Sequence, residues 1–174
     1  EHNPYIEAFW KWFPEAVTHM HTFRITGGEP LMSKNTNRVI EYLIQNPQPE
    51  LEFAINTNAC PPGETQWKEF VDKIKILEEN NCIKRFVLFV SAEGKGSHQE
   101  YNRYGMDWTM FTDNVKYYLK QICTKKNVIS LLELSIKSQI CYMKSSHNVW
   151  NFIFNIIDKI ISRIPGMIKI YPFL

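Results

Sequence analysis

Two glycines followed by a carboxylate, Gly27-Gly28-Glu29, are the most chemically suggestive run in this 174-residue chain. They come directly after His21 to Thr26, a short stretch that reads as a strand. With no Cβ to intervene, two glycines let the backbone turn tightly and bring its carbonyl and amide groups close to a ligand. Exposed carbonyls, helped by the Glu29 carboxylate, suit an ammonium group, which offers three donors and no acceptor. The spacing is wrong for a Walker loop or a dinucleotide fingerprint, because no Gly-Lys-Ser/Thr and no third glycine follow. Taken alone, Gly-Gly at a strand end is more often a plain turn.

Polar groups also follow two later strand-like runs. Asn58 comes after Glu52 to Thr57 and offers both a donor and an acceptor to a polar ligand. An Asn that simply closes a strand into a turn reads equally well there. Ser91 ends the apolar run Phe86 to Ser91, and Arg103 lies in the polar loop Ala92 to Gly105 beyond it. A guanidinium grips a carboxylate through two parallel hydrogen bonds. By itself, a loop arginine is more often a solvated charge.

The elements that must position these residues alternate between strand and helix. Ser33 or Asn35 caps a helix running through Val39, Ile40, Leu43 and Ile44 to a stop at Asn46-Pro47. Trp67, Phe70, Val71, Ile74 and Leu77 recur at helical spacing after the loop Pro61-Pro62-Gly63. Phe86 to Ser91 is nearly all apolar, as expected of a strand covered on both faces. Phe111, Val115, Tyr118, Leu119 and Ile122 form one stripe of a further helix. Beyond it, Val128 to Leu134 and Met167 to Tyr171 read as strands, and Val149 to Ile164 as a helix. Upstream, Tyr5 to Phe13 reads as a helix that Pro14 kinks or replaces with a new turn. The aromatic group Trp10, Trp12 and Phe13 reads as packing. This order predicts an α/β fold with a parallel sheet, as an open sheet or a barrel, whose ligand face lies at the carboxyl ends of the strands.

The run Phe23-Arg24-Ile25-Thr26-Gly27-Gly28-Glu29-Pro30-Leu31 resembles the Gly-Gly-Glu motif of radical S-adenosylmethionine enzymes, at the end of their second barrel strand. Asn56-Thr57-Asn58-Ala59 is similar to the family's Thr-Asn-Gly after the third strand, with Ala59 in the place of glycine. Ser91-Ala92-Glu93-Gly94 is similar to its Ser-Ile-Asp-Gly after the fourth, and leads into Tyr101-Asn102-Arg103-Tyr104-Gly105. The resemblance covers roughly residues 5–122. It implies a parallel-stranded partial (β/α) barrel of the radical S-adenosylmethionine type, with residues 1–126 as its core and 127–174 as a divergent continuation. It further implies that Gly27, Gly28 and Glu29 hold the cofactor's amino group and that Ser91 and Arg103 hold its carboxylate, with Asn58 as a further cofactor contact.

The activity implied is reductive cleavage of S-adenosylmethionine at a 4Fe-4S cluster, giving a 5′-deoxyadenosyl radical that abstracts hydrogen from a substrate. The family's cluster is held by Cys-x-x-x-Cys-x-x-Cys on the loop after the first strand. Cys60, Cys82, Cys123 and Cys141 do not have that spacing, so the ligands are expected upstream of Glu1 and this chain alone is expected to be inactive. An electron donor such as flavodoxin or ferredoxin is also implied. A cluster-less, non-catalytic relative serving as a binding module is the alternative, and an unrelated flavodoxin-like or sugar-binding α/β protein a third possibility.

Composition sets outer bounds. Hydrophobic residues make up 44% and charged residues 22%, an ordinary globular balance, and the net charge is +2. So small a charge favours a peptide or small-molecule substrate over nucleic acid. No signal peptide opens the chain and no run of about 18 apolar residues is long enough to span a bilayer, which fits a cytoplasmic setting with reduced thiols. The five histidines lack partners at ligand spacing, so no metal is assigned to them, and no catalytic residue is named.

Overall fold

A computed structural model describes residues 3–63, 65–92 and 96–122. The expected elements at Val128 to Leu134, Val149 to Ile164 and Met167 to Tyr171 lie outside the described residues. So does the proposed continuation over 127–174. Among the described residues the chain divides into two compact units, one of 3–57, 61–63 and 65–89, the other of 58–60, 90–92 and 96–122.

The first unit is α/β. Helix α1 (Pro4–Ala16) is followed by strand β1 (Thr22–Ile25), helix α2 (Lys34–Gln45), strand β2 (Gln48–Thr57), helix α3 (Gln66–Glu79) and strand β3 (Ile83–Val90). The strands form one parallel sheet in the order β1-β2-β3. Phe23 lies opposite Phe53, Arg24 opposite Ala54, and Ile25 opposite Ile55. Parallel neighbours need a long connection, which α2 and α3 supply.

Sequence chemistry sets the helix ends. Asn3 caps α1 by accepting from Tyr5 N–H at 3.0 Å, and Pro4 occupies the first turn, where an N–H is not needed. Ser33, one of the two expected caps, starts α2 by accepting from Asn35 N–H at 3.2 Å. Pro14 does not end α1, which continues through it to Ala16. Strand β2 begins four residues before the apolar alternation, because Gln48 N–H already donates to Cys82 O at 2.6 Å. A ladder bond of that kind leaves no hydrophobic trace.

Side chains on the two sheet faces differ in kind. One face turns Phe23, Ile25, Leu51, Phe53, Ile55 and Phe86 toward the helices, where Val39, Ile40, Leu43, Phe70, Ile74 and Leu77 are buried. Rings run across this face without interruption. Phe13 of α1 lies 5.1 Å from Phe23, Phe23 stacks on Phe53 at 6.0 Å, Phe53 meets Phe86 at 5.5 Å, and Phe86 meets Phe70 of α3 at 6.0 Å. Burying a phenylalanine stabilises by roughly 1.5–3 kcal/mol, and each well-placed ring pair adds about 0.5–1.5 kcal/mol. The opposite face is more polar, with Glu52 paired to Arg85 and Arg24 bonded to Asn56. Val87 and Leu88, neighbours on β3 that point to opposite faces, are both buried, as the apolar run predicted.

In the second unit, α5 (Trp108–Ile122) begins where Asp107 Oδ1 accepts from Met110 N–H at 2.7 Å. The expected loop Ala92 to Gly105 is corrected over Ser97–Asn102, which form a short helix, α4. Its anchor is Gln99, fully buried, with Nε2 3.3 Å from Met106 Sδ. Six residues cannot display a helical period, so only this packing reveals the turn.

One half-buried carboxyl gives a stability test. Glu78 of α3 accepts from Phe86 N–H at 3.1 Å. Burial pushes its pKa from 4.5 up to about 6, against the downward pull of that bond. The native state therefore binds the proton more tightly than the unfolded chain. The group's contribution is complete below pH 4.5 and is lost as pH rises through about 6. Allowing for partial solvent screening, the loss amounts to about 1 kcal/mol. Urea unfolding of the wild type and of Glu78→Gln at pH 4.5 and pH 7.5 should show that loss in the wild type only; parallel behaviour would assign the carboxyl an ordinary environment.

Candidate functional site

Strand β1 ends in the turn that the sequence singles out. Gly27 has φ +91° and Gly28 φ +55°, values in the left-handed region that favours glycine. A Cβ at either position would meet nothing within 4 Å. The glycines are thus required by backbone conformation and not by crowding, and the space beside them is open. Both are exposed.

Glu29 closes the turn. Its Oε1 accepts from Leu31 N–H at 3.2 Å, capping the single 3-10 turn Pro30–Met32, and from the Thr57 hydroxyl at 2.7 Å. Thr57 is the last residue of β2 and is buried. Period-2 alternation places it on the apolar face with Leu51, Phe53 and Ile55, where a hydroxyl must find a partner. The Glu29–Thr57 bond therefore ties the exit of β1 to the exit of β2 and fixes a negative charge at the carboxyl end of the sheet. Sequence reading identified Glu29 but not Thr57. The signal was a lone hydroxyl in an otherwise apolar alternation.

The remaining expected residues belong to the second unit. Asn58 Oδ1 accepts from Cys60 N–H at 2.8 Å, so its carbonyl oxygen serves the turn after β2. Ala59 takes φ +56° although it carries a Cβ, and it is fully buried. A left-handed residue with a Cβ costs roughly 1–2 kcal/mol, which the bond from Asn114 Nδ2 to Ala59 O, 2.9 Å long, helps to offset. Ser91 is half-buried and directly follows β3. Arg103, also half-buried, ends α4, with its N–H donating to Gln99 O at 3.0 Å and its carbonyl accepting from Met106 N–H at 3.1 Å. Glu93 and Gly94 lie outside the described residues. Gly27, Asn58 and Ser91 thus follow three strands of one parallel sheet.

Metal chemistry is not provided by these residues. Among the described residues no group of three His, Cys, Asp or Glu side chains could hold a metal ion. Cys60 Sγ lies 3.5 Å from Asp107 O and Cys82 Sγ 3.9 Å from Ile44 O. The described residues therefore do not fit a three-thiolate cluster site. The open, glycine-lined turn does fit a ligand that approaches main-chain carbonyls.

No family model, no curated protein and no solved structure matches the chain.

The turn geometry has a direct consequence. Since space is available but the left-handed conformation is not tolerant, Gly28→Ala should destabilise the chain by about 1–2 kcal/mol. Gly28→Val should cost more, because branching at Cβ adds strain. Urea unfolding of both variants checks this; a neutral Gly28→Ala would mean the turn does not hold that conformation.

Proposed function

We propose that this chain is part of a radical S-adenosylmethionine enzyme, built on the partial (β/α) barrel of that family, and that it binds the cofactor at the carboxyl ends of its strands. The single observation that carries the reading is the turn at the exit of β1, two left-handed glycines followed by a carboxylate held by Thr57. A positively charged amine placed there finds main-chain carbonyls unobstructed by any Cβ and a fixed negative charge beside them. Gly27, Gly28 and Glu29 hold the cofactor's ammonium group in this reading. Ser91 and Arg103 take its carboxylate, Arg103 through a charge-assisted fork, and Asn58 offers its side-chain amide.

S-adenosylmethionine, if bound there beside a 4Fe-4S cluster held by residues other than those described, would supply the one-electron chemistry and hydrogen abstraction of that family. The cluster's ligands are assigned to residues preceding Glu1, so the work proposed for this chain is binding, orientation and exclusion of water. A flavodoxin or ferredoxin as electron donor, and a peptide or small molecule as substrate, belong to the same proposal, as does a cytoplasmic location. Among the described residues no helix is long and apolar enough to cross a membrane.

Calorimetric titration of the chain with S-adenosylmethionine tests the reading. Glu29→Gln keeps an acceptor for Leu31 and Thr57 but removes the charge, and Arg103→Met keeps the length but removes the fork. Each should weaken binding about tenfold or more, the worth of a hydrogen bond to a charged group. Unchanged affinity in both variants would remove the proposed site.

A further inference from the structure

The polar face of the sheet carries a second feature that the cofactor reading leaves unused. Phe23 and Ile25 of β1 point to the helices, so Arg24 projects from the opposite face. Its register partner is Ala54, the smallest side chain on that part of β2. Little stands between the guanidinium and β3. The Arg24 side chain accordingly spans the sheet, donating from Nε to Asn56 Oδ1 at 2.8 Å and placing its guanidinium carbon 4.0 Å from the centre of the Phe89 ring. One residue from each strand, all near the carboxyl end, thus builds the group.

What the guanidinium does not have is equally informative. Glu52, two residues before Ala54 on this face, is paired with Arg85. Arg24 has no carboxylate partner among the described residues, and the hydrogen bond from Nε is the only one its guanidinium makes among them. The side chain is exposed. An arginine on an exposed strand ordinarily loses considerable rotamer freedom when it grips an anion. Here Asn56 and the Phe89 face have already fixed the plane, while both Nη groups, with four N–H donors, are left over. That is the construction of a pre-organised receptor for an oxyanion.

We propose that Arg24, positioned by Asn56 and Phe89, binds an oxyanion of the substrate, a carboxylate or a phosphate group. The inference rests on the cofactor reading above for the word substrate, because that reading assigns the cofactor's own carboxylate to Ser91 and Arg103. It narrows the substrate to a peptide or small molecule that presents such a group near the exit of β1, three residues before Gly27.

The test uses the whole chain with 15N-labelled arginine and follows the Nε–H resonance of Arg24 while inorganic phosphate or acetate is added, alongside a separate titration with S-adenosylmethionine. A saturable shift is expected with at least one anion, and the tighter of the two tells phosphate from carboxylate. Arg24→Lys, which retains charge but not the fork, should weaken that anion's binding about tenfold, monitored at the Asn56 side-chain amide in uniformly 15N-labelled wild type and variant. Arg24→Met should abolish it, and both variants should bind S-adenosylmethionine as the wild type does and unfold at an unchanged urea midpoint. Linear, non-saturating shifts with both anions would overturn the proposal, as would equal anion binding by Arg24→Lys. Loss of S-adenosylmethionine affinity in Arg24→Met, with stability unchanged, would move Arg24 to the cofactor and overturn the substrate role. Arg24-dependent anion binding by a chain that fails to bind S-adenosylmethionine would instead support the oxyanion site and reject the cofactor reading.

Discussion

The row of rings across one face of the sheet is the constraint on which the rest of this structure depends. Phe13, Phe23, Phe53, Phe86 and Phe70 link α1, all three strands and α3 in one continuous contact. Parallel strands have no hairpins to hold them in register. Their alignment comes from such packing and from helices that bury the same face. Once the rings commit Phe23, Phe53 and Phe86 to the helical side, period-2 alternation sends Arg24, Asn56 and Arg85 to the other. A one-residue slip would bury a guanidinium and expose a phenylalanine, so the polar face is a consequence of the apolar one.

Because the strands are parallel, the same alignment brings their exits to one edge. There the turn after β1 uses positive φ, which glycine adopts at little steric cost. Gly27 and Gly28 both adopt it. Glu29 is held by a backbone N–H and by the hydroxyl that ends β2. Two positive-φ glycines and a fixed carboxylate thus stand together at the exit of β1.

Much of this was legible in the residues, for local reasons. Helices α2 and α3 announce themselves through apolar spacing and, for α2, through Ser33 before the first turn. The turn after β1 is legible because two adjacent glycines in that place have few other uses. The start of β2 at Gln48 was not legible, since its polar residues enter the sheet through a backbone bond to Cys82 alone. Nor was α4, whose six residues are anchored by Gln99 against Met106. The Glu29–Thr57 bond joins residues 28 apart, and the Arg24–Asn56 bond residues 32 apart. Neither partner choice can be read from neighbours in sequence. Asn58 illustrates the middle case: both its turn-closing and ligand-binding uses were open, and the bond to Cys60 N–H fills the first.

The central claim is that the glycine turn after β1 meets the amino-acid portion of S-adenosylmethionine. The most direct measurement is the response of the Gly27 and Gly28 backbone amide resonances in a 15N-labelled chain during titration with that cofactor and, separately, with 5′-methylthioadenosine, which lacks the amino-acid portion. The account predicts saturable shifts at both glycines with S-adenosylmethionine and none with 5′-methylthioadenosine. Glycine resonances that stay in place while the cofactor binds, or that move equally with both compounds, would contradict it.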